Sequence, residues 1–184
     1  MSTDAIVILE EDHRRIKDLF WQFEAAVAAF DAPAPALAAL TRLHDEIATR
    51  RKGSLLNKIL EELTVHTYIE NESMYAQVRR LAPELEADVL ESYEEHHVAD
   101  VLCTELAAMP TSAERFDAKV KVLIENVTHH IDEEERDWFP KVRQALSQSQ
   151  LNEIGREMLK LKKEGPWWPA RPSALKRALD AVIR

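Results

Sequence analysis

His130 and Glu134 stand four residues apart in the stretch Val120 to Arg143, VKVLIENVTHHIDEEERDWFPKVR. An α-helix turns about 100° per residue, so positions four apart share a face. His129 and Glu133 have the same spacing. The apolar residues decide between the two pairs. Phe116, Val120, Leu123, Val127 and Trp138 recur at helical spacing, and His130 and Glu134 fall on that row. His129 and Glu133 sit beside Asn126 on a more solvated face. A histidine and a glutamate aimed into an apolar core are costly unless they are paired or bind a metal.

The pattern recurs 64 residues earlier in Ile59 to Arg79, ILEELTVHTYIENESMYAQVR. Laid over Leu123 to Arg143, it places Thr64 on Thr128, His66 on His130 and Glu70 on Glu134. Apolar Ile59, Leu63 and Met74 fall on Leu123, Val127 and Trp138. One His-x-x-x-Glu on a helix is usually a surface ion pair. Two copies, each interrupting an inward apolar stripe, point to a shared buried site.

The elements that must position these residues are helices. Residues 4–30 predict a first long helix whose stripe of Ile6, Leu9, Ile16, Phe20 and Phe23 includes His13. Pro33 and Pro35 break it. Residues 36–50 are rich in Ala and Leu and predict either a separate short helix or an extension of the next one. Gly53 and Ser54 mark the expected start of the second long helix, over about 54–80. Pro83 suits the first turn of a third helix, which runs to about 108 with Val89, Tyr93, His96, Cys103 and Leu106 inward. Pro110 ends it, and Thr111 with Glu114 resembles a capping box for the fourth helix. Pro140 is expected to kink that helix or tighten its end. The first and third helices also match loosely, His13 over His96 and Phe23 over Leu106. The chain therefore reads as two helical hairpins, each bringing one isolated histidine and one His-x-x-x-Glu.

No long β-like alternation appears. The expected fold is all-α, an up-down-up-down four-helix bundle over residues 1–147 with a C-terminal helical extension over 148–184. In that extension residues 150–163 predict a helix, GPWWPARP a rigid linker, and 173–183 a short final helix. Trp167 and Trp168 are expected to pack the tail onto the bundle.

Composition limits the function. The formal net charge of −9 argues against a general nucleic-acid or anionic-membrane binder. Cys103 is the only cysteine, which rules out an intrachain disulfide framework and a Cys-rich zinc site. No secretory signal and no membrane-spanning stretch is apparent, so the expected compartment is the cytoplasm.

Four inward histidines and two inward carboxylates from four helices suit iron or manganese, and also zinc. Bundle interiors recurrently hold di-iron sites of this make-up. Two bridging glutamates and two histidines per ion leave room for an oxygen-derived bridge and for O2, peroxide or NO.

The segments DHRRIKDLFWQFE, ELTVHTYIENESMY, EEHHVADVL and HHIDEEERDWFPKVR, centred on His13, His66, His96 and His130, resemble the hemerythrin-like HHE cation-binding domain. The resemblance covers roughly residues 5–146, with four motifs in order. It implies a four-helix bundle around two iron ions, Fe2+ or Fe3+, with an oxo or hydroxo bridge. It implies His13, His66, His96 and His130 as ligands and Glu70 and Glu134 as bridges. Functions in the family include oxygen carriage, sensing of oxygen or iron, response to NO and decomposition of peroxide.

One departure bears on function. The family's oxygen carriers place two histidines four apart on the third helix, whereas here Asp100 follows His96 at that spacing and His97 is adjacent. This favours peroxide reactivity or redox sensing over oxygen transport, with Asp100 a weaker oxygen ligand or the position open. His97 and His129 point roughly 100° away from the ligand face. Tyr93, one turn before His96, either packs or bonds a metal-bound oxygen. His44 reads as a surface residue, and Glu133 to Glu135 alone would read as a solvated acidic face.

Overall fold

The computed structural model describes residues 3–30 and 38–166. Helix α1, Ala5–Phe30, starts where the side chain of Asp4 accepts hydrogen bonds from the backbone amides of Ile6 and Val7, at 2.9 and 3.3 Å. That cap satisfies amides which otherwise have no partner in a first turn. Its buried face runs through Ile6, Leu9, His13, Ile16, Phe20 and Phe23, as the stripe predicts.

Helix α2, Ala38–Ile69, starts well before Gly53. The Ala- and Leu-rich stretch extends the second helix, and Gly53 lies inside it. One helical glycine costs only about 1 kcal/mol relative to alanine, too little to stop a run so well supplied with helix formers. Its role is space: a Cβ at Gly53 would come within 3.3 Å of the Thr111 methyl. Lys52 then ties this turn to Asp117 at 2.7 Å.

The helix does not stay α-helical. A π-helical turn over Glu70–Tyr75 follows α2 and leads into α3, Ala76–Leu81. Pro83 opens a 3-10 turn over Pro83–Leu85 ahead of α4, Glu86–Ala107. The capping box expected at Thr111 and Glu114 does not form. The amides of Ala113 and Phe116 donate instead to the carbonyls of Pro110 and Ala113, and α5, Phe116–Glu133, begins without a side-chain cap. A second π-helical turn, Glu134–Trp138, precedes α6, Phe139–Ala145. Pro140 lies in the first turn of α6, so the irregularity is in the π turn before it.

Helix α7, Gln148–Glu164, starts with a capping box: the Ser147 side chain accepts from the Gln150 amide while the Gln150 side chain accepts from the Ser147 amide. Residues 167–184, which include Trp167, Trp168 and the expected final helix, lie outside the described residues.

All regular secondary structure among the described residues is helical. Contacts of α1 with α2, α2 with α4, α4 with α5 and α5 with α1 close a ring of four, and α7 lies against α1 and α2. No helix among the described residues is long and apolar enough to cross a membrane. The buried apolar residues divide into two clusters. One holds Ile16, Phe20, Leu56, Leu63, Phe116 and Leu123. The other holds Ile6, Leu9, Ile69, Met74, Val142 and, from α7, Leu151, Ile154 and Met158. The histidine positions fall between them along the chain: His13 between Leu9 and Ile16, His66 between Leu63 and Ile69.

Candidate metal centre

Six buried ionisable side chains form the layer between the two cores: His13, His66, Glu70, His96, His130 and Glu134. Helices α1 and α2 bring His13 and His66 together, with ring centroids 4.9 Å apart. Helices α4 and α5 bring His96 and His130 together at 4.7 Å. Each glutamate spans the two hairpins. Glu70 lies 3.1 Å from His66 Nε2 and 3.3 Å from His96 Nε2. Glu134 lies 3.3 Å from His13 Nε2 and 3.6 Å from His130 Nε2. Two groups result with donor atoms within 4.8 Å of one another: His13, His66, Glu70 and Glu134, and Glu70, His96 and His130.

Three of the four outer ring nitrogens are held from behind. His13 Nδ1 lies 2.9 Å from Glu135, His96 Nδ1 2.9 Å from the Asn71 side-chain oxygen, and His130 Nδ1 2.6 Å from Glu95. A carboxylate only accepts, so Nδ1 carries the proton in His13 and His130. The Nε2 lone pair then faces the centre, the arrangement typical of metal-binding imidazoles. Nε2 of His96 and His130 stand 2.9 Å apart. Two lone pairs directed at each other at that range need a cation or a shared proton between them.

Unsatisfied atoms collect at the same place. His13 Nε2, both His66 nitrogens, both Glu70 oxygens and Glu134 Oε2 are buried without a hydrogen-bond partner. Buried polar atoms are normally satisfied, so the donor set fits a bound cation. The electrostatics agree. Burial pushes the Glu70 carboxyl well up, and the charge on Glu134 adds to this. Burial also opposes the charge on Glu134, but the facing His130 and His13 rings outweigh it and hold that carboxyl at about 2. Burial, then the neighbouring His13, pushes His66 well down. Without a cation, the layer cannot carry both carboxylate charges cheaply.

The Hemerythrin HHE cation binding domain model matches residues 4–142. The chain belongs to this family. Members bind metal cations, and the two His/Glu groups are where such a cation fits. The crystal structure of a hemerythrin HHE cation binding domain-containing protein from Mycobacterium kansasii matches with a TM-score of 0.63 at 23% identity, over 88% of this chain and 86% of that one. That likeness extends the all-helical HHE fold to most of the chain. A DNA nickase from Nostoc sp. is 30% identical over 117 residues, 64% of this chain. The match spans 33% of that relative's own length.

Other expectations fall differently. His129 is 68% exposed and pairs with Glu133 at 3.4 Å, away from the centre. Tyr93 is half-buried and its hydroxyl donates to the Asn71 carbonyl. His97 and Asp100 are half-buried, and neither belongs to the converging groups. His44 is half-buried, 3.8 Å from Asp45.

Sequence reasoning missed Tyr75. Its buried hydroxyl donates to Glu134 Oε1 at 2.7 Å and lies 3.3 and 3.5 Å from Nε2 of His96 and His130. In the repeat, Tyr75 corresponds to Phe139, whose ring stacks on His13 at 5.6 Å. The HHE centre is therefore lopsided: a phenol faces the His96/His130 half and a phenyl ring the His13/His66 half.

Proposed function

We propose that the centre holds two iron ions, one between His13 and His66 and one between His96 and His130, with Glu70 and Glu134 shared. We propose further that it reacts irreversibly with peroxide or dioxygen, rather than carrying dioxygen. An iron pair would lend two electrons to one peroxide, giving water, and recover two from a second peroxide, releasing dioxygen. The Tyr75 hydroxyl carries the reading. Burial, then the charges on Glu134 and Glu70, push the phenol well up, so it keeps its proton. Its hydroxyl can turn its hydrogen bond from Glu134 Oε1 to a small oxygen ligand at the His96/His130 half. Glu135 and Glu95 behind His13 and His130 make those imidazoles more basic. Both effects favour the more oxidised ion over a state that releases dioxygen intact. Apolar cores close the layer above and below.

Nitric oxide is a third small ligand for the same opening. Manganese and zinc suit the same donors, and metal analysis separates them from iron. DNA nicking is not part of the proposal, because the match spans only 33% of that relative's length and a net charge of −9 opposes a phosphate backbone.

The test is metal analysis of aerobically purified protein, followed by oxygen evolution on adding hydrogen peroxide. We expect about two iron ions per chain, as for a carboxylate-rich bundle site, and steady oxygen release. In parallel, protein reduced without air is exposed to oxygen and then evacuated. A visible spectrum that disappears under vacuum and returns with oxygen would show a carrier and overturn the proposal.

A further inference from the structure

A cleft of about 180 Å³ opens between α4 and the α5–α6 run, and two of its inner walls are His130 and Glu134. A water molecule takes about 30 Å³ of liquid, so the cleft has room for several. Its outer walls are acidic. Glu91, Glu95, Glu133 and Asp137 line it, and the one lysine there, Lys141, is drawn onto Asp88 at 2.8 Å. At the mouth, Glu95 and Glu133 join the exposed His129, with donor atoms within 4.8 Å of one another. At the inner end, Glu134 Oε2 is buried and has no hydrogen-bond partner. The acidity alone would be an ordinary solvated face. Its continuity with an unsatisfied buried carboxylate gives it a direction, from solvent to the centre.

We propose that this cleft is the entry route for divalent cations, with Glu95, His129 and Glu133 as the first point of capture. This rests on the reading of the layer as a two-metal centre. Carboxylates along one wall concentrate a cation and raise its rate of entry, while repelling anions. A hydrated cation exchanges water for oxygen donors most readily where several are within reach, as at the mouth. His130 and Glu134 then receive it at the inner end. The cleft reaches the same half of the centre that Tyr75 faces, so the ion placed there is the one nearest solvent.

The experiment is stopped-flow uptake of cobalt(II) by metal-free full-length protein, followed by its visible absorption bands. Glu91→Gln combined with Glu133→Gln should slow uptake roughly tenfold at low salt, with the final content still two ions per chain. His129→Ala should also slow uptake without lowering the content. The charge-matched control, Asp18→Asn combined with Glu61→Gln on the α1/α2 side, should stay within about twofold of wild type. Salt at about 1 M should erase the differences, because exposed charges are then screened over about 3 Å. Lys141→Gln adds net negative charge at the cleft and should speed uptake, a check that does not depend on the acidic variants folding well. Uptake by the cleft variants as fast as by the control would overturn the proposal, as would a loss of final content. Wild-type protein that takes up no pair of ions would instead refute the two-metal reading beneath it.

Discussion

At the scale of single residues, the site depends on which of two adjacent histidines faces inward. His130 is buried and held at Nδ1 by Glu95, whereas His129 is 68% exposed. His130→Ala should cost at least one bound ion and about 2–4 kcal/mol of stability in the loaded protein, since a lost ligand leaves its buried partners unsatisfied. His129→Ala should keep both ions and fall within about 0.5 kcal/mol of wild type, as ordinary surface changes do. Metal content and urea unfolding of the two variants check this, and equal losses would mean that the helix face is misassigned. Tyr75→Phe keeps the ring and removes only the hydroxyl. It should retain two ions and lose roughly a hundredfold in peroxide decomposition per iron, the scale of one positioned hydrogen-bond donor. An unchanged rate would reduce Tyr75 to packing. The six inward residues were legible because each interrupts an apolar stripe. Tyr75 was not, because in an uninterrupted α-helix a residue five positions after Glu70 turns well away from it.

At the scale of elements, the two π turns account for that miss. Each begins at a shared glutamate, Glu70 or Glu134. The wider i→i+5 turn, a form found often at functional sites, brings both the fourth and fifth following residues inward: Met74 with Tyr75, and Trp138 with Phe139. Periodicity of 3.6 finds the helix but not the one-residue reset. Helix ends were legible only in part: the local box read at Thr111 and Glu114 does not form, and the one at Ser147 and Gln150 starts α7 earlier than expected. Asp4 caps α1 and also accepts from Arg143 and Gln148 at 2.9 and 2.8 Å, tying the first helix to α6 and to the start of α7. Nothing in the sequence near Asp4 announces those distant partners. Burial works against the Asp4 charge, but hydrogen bonds from Gln148, Arg143 and the Val7 amide outweigh it and set the carboxyl below its usual range. The folded value lies below the unfolded one. The stabilisation is therefore complete above about pH 4 and is lost as pH falls through the lowered value. Asp4→Ala should cost about 1–2 kcal/mol at pH 7, in line with a helix cap. The gap to wild type should shrink as pH falls below about 4 in metal-free protein followed by thermal unfolding. A pH-independent gap would show that the carboxylate charge is irrelevant.

At the scale of the whole molecule, ligands from two hairpins make metal binding and folding one equilibrium. Removing metal should lower the melting temperature, and returning iron(II) without air should restore it, because only the folded chain brings the six groups together. Helix α7 closes the same structure from outside. Leu151, Ile154 and Met158 share a core cluster with Ile6 and Leu9 of α1, in the turns before His13. The sequence marks α7 as a helix but not how closely it docks, which depends on a backbone-to-backbone approach. Gly155 is the point of contact. A Cβ there would meet the Thr3 carbonyl oxygen at 2.0 Å and the Ala5 nitrogen at 2.9 Å, and backbone cannot step aside as a flexible side chain does. Two effects oppose each other in Gly155→Ala. Helix propensity favours alanine by about 1 kcal/mol, while forcing apart a packed contact costs about 1–3 kcal/mol. With backbone this close the clash should prevail, and the variant should be destabilised by about 1–2 kcal/mol. The strain falls on residues 3–5, at the Asp4 cap of the helix that carries His13, so iron should also dissociate faster. Urea unfolding of metal-free protein, together with iron release to a chelator, measures both effects. A variant about 1 kcal/mol more stable than wild type, with unchanged iron release, would mean that α7 rests on the bundle loosely and takes no part in holding the first ligand helix.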